Sequence, residues 1–354
     1  MKTLIIASTG PFSGKSSIAL AMLSFLTERG IKAGYFKPYG TMPVRIDGAM
    51  TDADAAYIAT YAHASAPLSA VCPVVESRAL LENVVRDDPG GFDTKVREAF
   101  DQVSQGADVM VVEGPSDLAQ GRAFDLNLCT LAEMLDARVL LVDRPAGIDL
   151  PDAALWAADC LHDRLLGVVF NAVHESIYGF ISDDISRFLT RRGIDVLGTI
   201  PADPMLSSVS VAEIVDLLGG TVLSAENALD EYVESFMVGA MGQDKALRFF
   251  RRKARKAVIT GGDRSDVQLA ALETDTRAII LTGNMPPSSL VLSRAEELGV
   301  PMILVAMDTL TAVEKMESLM GRMRLHDKTK AGKMREMFDE AVDVERLLEL
   351  AFGL

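Results

Sequence analysis

Short apolar runs alternate with longer segments of helical periodicity along the first two hundred residues of the chain. Each run has the length of a buried strand, and the segments between runs are long enough for crossover helices. The repeated order of strand, helix and strand predicts an α/β fold with a doubly wound parallel sheet and right-handed crossovers. The predicted strands cover residues 3–8, 32–36, 109–112, 138–143, 166–170 and 196–200.

The pattern restarts after residues 201–210, a short segment with proline and serine that indicates a linker. We therefore divide the chain into a first domain (1–205), a smaller α/β domain (209–325) and a helical C-terminal tail (326–354), in keeping with usual domain sizes. In the smaller domain the predicted strands lie near 221–223 and at 235–240, 257–260, 278–283 and 302–305.

Two segments differ from the regular pattern. Residues 65–92 contain three prolines and a Gly-Gly pair, and we predict a long irregular loop, of a kind that is often functional. The run from Lys245 to Lys256 is basic in an otherwise acidic chain. A solvated helix face is the favoured interpretation of this run, and a contact with an anion or another subunit is the alternative.

Composition narrows the class of protein. The 354 residues carry a net charge of −15, which argues against general binding to nucleic acid or to anionic membranes. No apolar run reaches the length of a membrane span. The three cysteines, Cys72, Cys129 and Cys160, are odd in number and form no CxxC pair. They predict neither a disulfide framework nor a zinc site, and they favour a reducing cytoplasm.

The segment TGPFSGKS, from Thr9 to Ser16, connects the first predicted strand to a predicted helix. Strand, Gly-rich turn and helix in this order are typical of a phosphate-binding P-loop. Glycines let the backbone N–H groups face an anion, and the helix N-terminus adds its positive dipole end. A turn that only caps the helix is the alternative. The residues expected at the phosphates are Thr9, Gly10, Pro11, Phe12, Ser13, Gly14, Lys15, Ser16 and Ser17.

Within this loop, Lys15 is expected to reach the outer phosphates as a catalytic residue, and the Ser16 hydroxyl is expected to hold Mg²⁺. Glu113 follows a strand of four apolar residues. That is the Walker B form, in which the carboxylate orients Mg²⁺ or water. A strand-terminal Glu without a role is the alternative.

Three further charged residues lie near the predicted edge of the sheet. Lys37 stands at the carboxyl end of the second predicted strand, beside the P-loop in an open sheet. Asp52 and Asp54 open the next predicted helix. One of them is expected to be an N-cap, and a carboxylate close to a P-loop is also a ligand that Mg²⁺ takes.

Together these stretches resemble dethiobiotin synthetase, in the same order and over the first 200 residues. The resemblance is carried by residues 8–16 (STGPFSGKS), 34–38 (GYFKP), 54–55 (DA), 111–114 (VVEG), 171 (N) and 197–201 (LGTIP). The P-loop of dethiobiotin synthetase is also a variant, because it lacks the first glycine of the plain motif, at the position that Thr9 takes here.

The resemblance implies roles for individual residues. Asp54, which Ala55 follows as in that family, and Glu113 would complete the metal site with Ser16. Lys37 would contact the phosphate or a carboxylate-derived group and act as a catalytic residue. Asn171 would contact the adenine, and Pro201 would border the base pocket. ATP or a related nucleotide and Mg²⁺ are the implied cofactors.

The second half resembles the DRTGG domain, through residues 217–223 (LLGGTVL), 236–241 (FMVGAM), 259–266 (ITGGDRSD) and 280–283 (ILTG). Both halves in this order look like the N-terminal region of long-form phosphotransacetylase, which is regulatory there. The acetyl-transfer domain that follows in that family has no counterpart in the sequence, so we do not expect phosphotransacetylase activity. An effector at the DRTGG-like domain and a homo-oligomer are expected.

The residues expected near a substrate differ from those of dethiobiotin synthetase. In the synthetase a run of small residues follows the acidic strand end, whereas this chain has Pro115-Ser116-Asp117 at the same place. The proline removes an N–H donor and the aspartate adds a negative charge, which suits neither a carboxylate nor a carbamate. We therefore favour an ATP- and Mg²⁺-binding protein with a regulatory or sensory role, with or without slow hydrolysis. An ATP-dependent ligase for a carboxylate or amine is the alternative, and a scaffold with a vestigial P-loop is the third hypothesis.

Overall fold

A computed structural model describes residues 1–87, 90–320 and 327–354 of the chain, apart from the side chains of 243, 244 and 320. The chain divides into two units. The first contains residues 1–202 together with the C-terminal segment from 327, and the second begins at residue 203. In the described parts, no helix combines the length and the apolar character that crossing a membrane requires.

Six strands of the first unit form one parallel sheet in the order β10-β9-β8-β1-β7-β2. The α/β fold with a doubly wound parallel sheet is thereby confirmed, because the chain runs from the central strand β1 to β2 at one edge, returns, and then runs outward to β10 at the other edge. The strands of this unit are β1 Lys2–Ser8, β2 Ala33–Phe36, β3 Tyr39–Gly40, β4 Pro43–Ile46, β5 Ala49–Asp52, β6 Val74–Val75, β7 Val109–Glu113, β8 Arg138–Asp143, β9 Leu165–Val173 and β10 Val196–Pro201.

The central strands β1 and β7 are almost continuously apolar and buried, as strands covered by helices on both faces must be. The helix after β1 is buried along most of its length, so the turn that precedes it is held on a rigid frame. The helices of this unit are α1 Lys15–Glu28, α2 Ala53–Tyr61, α3 Leu68–Val71, α4 Arg78–Asp87, α5 Phe92–Val103, α6 Leu128–Met134, α7 Asp152–Leu161, α8 Glu175–Gly179 and α9 Ser186–Thr190.

Residues 65–92 are more regular than the sequence indicates. They contain the helices α3 and α4 and the strand β6, which pairs with β3, so the prediction of a long irregular loop is wrong. Helix α4 has no fully buried residue, but Leu80 and Val84, four positions apart, are partly buried against the core. A β4–β5 hairpin also had no counterpart in the prediction, and a π-helix over Phe180–Ile185 joins α8 to α9.

The second unit has a five-stranded sheet in the order β12-β17-β16-β15-β14, in which only the edge strand β12 is antiparallel. A separate β11–β13 pair lies in the segment predicted as a linker and beyond it. Its strands and helices are β11 Val209–Ser210, β12 Thr221–Val222, β13 Tyr232–Val233, β14 Ser235–Val238, β15 Lys256–Gly261, β16 Thr276–Thr282, β17 Met302–Leu304, α10 Val211–Leu218, α11 Gln243–Phe250, α12 Ser265–Leu272, α13 Ser289–Leu298 and α14 Thr309–Met320.

The basic run divides into two parts with different environments. Lys245, Arg248 and Arg251 are exposed on or just after α11, as a solvated helix face requires. Lys256 is instead buried at the start of β15, where its Nζ donates to the Thr274 hydroxyl and the Asp275 carbonyl, both at 2.9 Å. The interpretation as one solvated face is therefore wrong for the last residue of the run.

The C-terminal segment packs on the P-loop unit through α15 Lys328–Ala341 and α16 Val344–Phe352. Helix α15 lies against α1, and Phe338 meets Phe25 edge to face with ring centroids 6.1 Å apart. The backbone of Val342 approaches Gly198 so closely that a Cβ on this glycine would lie 2.3 Å from the Ala341 carbonyl oxygen. The helix that begins at the P-loop thus takes part of its packing from the far end of the chain.

One cysteine prediction is wrong. Cys129 on α6 and Cys160 on α7 form a disulfide, with their Cα atoms 6.5 Å apart. The two residues are 31 positions apart in the chain, and only the tertiary packing of the two helices brings them together. The argument from the cysteines for a reducing compartment therefore no longer holds.

The disulfide predicts a thiol count. Cys72 is buried, and burial raises the pKa of its thiol to about 12, so the native protein should present no reactive thiol. Protein purified without reductant and then unfolded should show one thiol per chain by a chromogenic thiol reagent, and three after reduction. The Cys72→Ser variant should show none before reduction. Three thiols in the unfolded, unreduced protein would contradict the disulfide.

The packing of α15 predicts that the tail stabilises the P-loop unit. Phe338 is fully buried, so Phe338→Ala should lower the free energy of unfolding of this unit by about 3–5 kcal/mol. Trp156, the single tryptophan, lies on α7 and reports on this unit by fluorescence during urea unfolding. Leu310→Ala, at a side chain that is 68% exposed, is the control. Equal midpoints for the two variants would show that the tail adds no stability to the unit.

Candidate functional site

The predicted P-loop lies between β1 and α1. Gly14 is the N-cap of α1 and has a φ of 91°, a left-handed conformation that glycine adopts without steric cost. Phe12 also has a positive φ, 56°, and its side chain is about half exposed. A Cβ at Gly10 would meet open space. The turn therefore depends on Gly14 for its backbone shape and leaves the surface at Gly10 open.

Side chains from the neighbouring strands anchor this turn. The Thr9 hydroxyl donates to the carboxylate of Asp143, the last residue of β8. The Asn171 amide nitrogen on β9 donates to the Ser13 carbonyl at 2.7 Å, and the Arg144 guanidinium donates to the Phe12 carbonyl at 3.1 Å. Thr9, where a plain P-loop has glycine, thus ties the start of the turn to the sheet.

Two buried groups in the turn, the Lys15 ammonium and the Ser13 hydroxyl, could each donate a hydrogen bond to an anion. Lys15 is 8% exposed, and burial lowers the pKa of its ammonium, although Glu113 opposes the shift. The hydroxyl of Ser13 is buried and has no hydrogen-bond partner among the described atoms. A buried polar group without a partner is costly, and a phosphate oxygen would satisfy both the hydroxyl and the ammonium.

The three predicted metal ligands come together. The Ser16 hydroxyl lies 2.9 Å from Glu113 Oε1 and 3.3 Å from Asp54 Oδ2. Ser16 is in the first turn of α1, Glu113 ends β7, and Asp54 is in the first turn of α2. One hydroxyl and two carboxylates are therefore within reach of a single cation beside the P-loop.

The structure separates the roles of Asp52 and Asp54. Asp52 is fully buried and caps α2, because its Oδ1 accepts from the Ala55 N–H at 3.1 Å. Its Oδ2 accepts from the Met42 N–H at 2.9 Å. Asp54, by contrast, is half-buried and reaches Ser16. Asp52 is thus the structural cap, and Asp54 is the carboxylate placed toward the loop.

Lys37 lies inside this cluster. Its Nζ is 2.8 Å from Asp52 Oδ1 and 3.0 Å from Glu113 Oε1, and the residue is 5% exposed. Burial disfavours the charge, but Glu113 and Asp52 outweigh it and raise the pKa of Lys37. The pKa of Glu113 is lowered by Lys37 and Lys15 against the opposing effect of burial. Both partners are therefore ionised at neutral pH.

The residues fit a magnesium ion that arrives with phosphates. Two lysines, 15 and 37, face three carboxylates, 52, 54 and 113, which leaves one negative charge (2 − 3 = −1). In the part of the chain that the structure describes, no group of three or more His, Cys, Asp or Glu side chains is placed to hold a metal alone. Mg²⁺ usually takes one or two carboxylates and completes its shell with phosphate and water, which is the set available here.

The segment after Glu113 forms a closed turn. The Gln120 side-chain oxygen accepts from both the N–H and the hydroxyl of Ser116, at 2.6 and 2.7 Å. Asp117 Oδ1 accepts from the N–H groups of Ala119 and Gln120, both at 2.8 Å. The Asp117 carboxylate is therefore engaged with its own turn, and the Pro115 beside it is buried.

Not every predicted residue has the expected surroundings. Asn171 uses its amide nitrogen to hold the P-loop, and its contact with adenine stays a prediction. Pro201, the last residue of β10, is exposed. Sequence reasoning missed Tyr35, whose buried hydroxyl donates to Glu113 Oε2 at 2.9 Å. The only signal was its place two residues before Lys37, where alternation along the strand puts both side chains on one face.

The fold and the loop together define a P-loop ATPase-like domain. Comparison with family models then gives the family: residues 2–210 match the AAA domain, and residues 213–319 match the DRTGG domain. The chain belongs to this AAA domain family and carries a DRTGG domain after the P-loop domain. The predicted combination is thereby confirmed.

Curated relatives have the same two-domain region. The phosphate acetyltransferase of Synechocystis sp. is 26% identical over 98% of this chain and 51% of its own length. That of Pseudomonas putida is 28% identical over 94% of this chain and 49% of its own length. The chain spans about half the length of the curated relatives it matches, and it corresponds to the N-terminal region of the long form.

Solved structures are more distant. The cell division ATPase MinD of Pyrococcus furiosus is 18% identical, with a TM-score of 0.37, over 58% of this chain and 86% of its own. The CBS and DRTGG domains of the regulatory region of Clostridium perfringens pyrophosphatase, complexed with diadenosine tetraphosphate, are 18% identical, with a TM-score of 0.29. This match covers 44% of the present chain and 74% of the pyrophosphatase chain.

The Asn171 anchor generates a prediction for the P-loop. Asn171→Ala removes the buried donor to the Ser13 carbonyl, at a cost of about 1–3 kcal/mol, and should loosen the turn. Amide hydrogen exchange in a peptide covering residues 9–16 should become faster, whereas Asn227→Ala, at an exposed asparagine of the second unit, should leave it unchanged. Unchanged exchange in Asn171→Ala would mean that Thr9 and Arg144 hold the loop without it.

Proposed function

We propose that the first unit binds ATP or a related nucleotide with Mg²⁺, and that the chain uses this binding in a regulatory or sensory role. The observation that carries the proposal is the meeting of Ser16, Asp54 and Glu113 beside the buried Lys15. The DRTGG domain would take a second ligand or mediate assembly into a homo-oligomer.

Each part of the site has a distinct task in this proposal. The backbone N–H groups of residues 9–17 would surround the phosphates, and Lys15 would neutralise the outer ones. Ser16, Asp54 and Glu113 would hold Mg²⁺, which neutralises phosphate charge when bound. Asn171 and Pro201 would border the base, as the family resemblance implies.

One observation favours regulation over ligation. Pro115 and Asp117 stand where the resembling synthetase has small residues, and Asp117 brings a negative charge to that segment. A carboxylate or carbamate would be poorly stabilised there.

An ATP-dependent ligase is the second candidate, because Lys37, Asp54 and Glu113 are present together in one cluster. It requires ADP release that depends on an added carboxylate or amine. A metabolite screen that follows ADP would favour the ligase if one compound raised turnover, and it would favour regulation if turnover were independent of every compound.

The Lys15→Ala variant tests nucleotide binding directly. Isothermal titration with a non-hydrolysable ATP analogue should show binding to the wild type that weakens at least tenfold without Mg²⁺. Lys15→Ala should lose at least tenfold in affinity, since it removes a buried counter-charge of the phosphates. The control Lys245→Ala, an exposed lysine of the second unit, should bind as the wild type does. Absent binding, or equal binding by Lys15→Ala, would contradict the proposal.

A further inference from the structure

The Glu113 oxygen that faces Ser16 has both of its lone pairs engaged. Glu113 Oε1 accepts from the Ser16 hydroxyl at 2.9 Å and from Lys37 Nζ at 3.0 Å. Its Oε2 accepts from the Tyr35 hydroxyl at 2.9 Å. A divalent cation that binds Oε1 directly, beside the Ser16 hydroxyl, must therefore take the place of Ser16 or Lys37 as its partner.

Lys37 is the donor whose release has a clear electrostatic effect. It is the only one of the three donors that carries a charge, and it occupies the same oxygen that faces Ser16. A lysine ammonium 3.0 Å from a carboxylate repels any second cation that approaches the same oxygen. Because the residue is 5% exposed, water screens this repulsion only weakly.

Asp52 fixes Lys37 in this position. Its Oδ1 lies 2.8 Å from Lys37 Nζ, and backbone N–H groups hold both of its oxygens from the other side. The carboxylate is thus oriented by the start of α2 and by the segment that precedes the β4–β5 hairpin. A lysine held between two oriented, buried carboxylates has little freedom to move away unless another anion replaces one of them.

We propose that Lys37 is the resident cation of the metal site, and that Asp52 is the positioning residue that holds it against Glu113. A divalent cation then binds well only together with nucleotide phosphates. The phosphates give Lys37 a new partner, and Glu113 Oε1 becomes available to the metal. The inference deepens the proposed function and rests on it, because nucleotide is the anion that releases Lys37.

The test uses Mn²⁺ alone, without nucleotide, on the full chain, with free Mn²⁺ measured by electron paramagnetic resonance. Wild type should bind Mn²⁺ weakly. Lys37→Met frees Glu113 and removes a positive charge, so it should bind Mn²⁺ at least about tenfold more tightly. Lys32→Met, at an exposed lysine just before β2, should bind as the wild type does.

A double variant separates release of Glu113 from the change in net charge. Lys37→Met with Asp52→Asn keeps the net charge of the site, yet Glu113 no longer contacts an ammonium. It should still bind Mn²⁺ at least about threefold more tightly than wild type, whereas Asp52→Asn alone should bind no more tightly. If the double variant matches the wild type, the proposal is overturned.

Stability of the variants does not obscure the result. Lys37→Met removes the ammonium that the buried carboxylates of Asp52 and Glu113 share, which destabilises the fold, and Mn²⁺ should then raise its melting temperature far more than that of wild type. The same melts on the double variant give the readout if the single variant stays unfolded. If the wild type bound no nucleotide, the proposed function would be contradicted, but the comparison of Mn²⁺ affinities would still be valid. The failure of the proposed function and the failure of this inference are therefore distinguishable.

Discussion

The site depends on the mutual neutralisation of buried charges at the carboxyl edge of the first sheet. Lys37 and Glu113 are both nearly inaccessible to water, and each exerts the largest opposite-charge effect on the other's pKa, which offsets the cost of burying them. Asp52 completes the neutralisation on one side, and the Ser16 and Tyr35 hydroxyls donate hydrogen bonds to Glu113 on the other. The surrounding strands and helices bring these residues to one point and exclude water from it.

This constraint explains the local architecture. Strand β7 must end at Glu113, and α2 must begin immediately after Asp52, so that the cap of that helix also holds Lys37. The P-loop is then fixed on the sheet by Thr9 and Asn171 from one side. The same edge of the sheet thus holds the rigid P-loop, the Ser16 hydroxyl that could bind a cation, and Lys37, which is paired with two carboxylates.

Much of this could be predicted from the sequence, because the signals are local. The order of strands, the turn at Gly14 and the acidic end of β7 follow from apolar runs and from residue spacing. The roles of Tyr35 and Asn171 could not be predicted, because they depend on which strands lie side by side. The Cys129–Cys160 disulfide and the burial of Lys256 likewise depend on helix and strand packing, which spacing alone does not encode. Helix α4 was missed because the prolines and paired glycines of residues 65–92 outweighed the apolar pair Leu80 and Val84, which packs partly buried against the core.

The central claim is that nucleotide and metal enter this site together, by giving Lys37 a new partner. A crystal structure of the chain with Mg²⁺ and a non-hydrolysable ATP analogue tests it most directly. The account predicts phosphates in the turn from Thr9 to Ser16, Lys37 Nζ within hydrogen-bond distance of a phosphate oxygen, and Glu113 Oε1 facing the metal. A nucleotide bound elsewhere, or one bound in the turn with the Lys37–Glu113 pair unchanged, would contradict it.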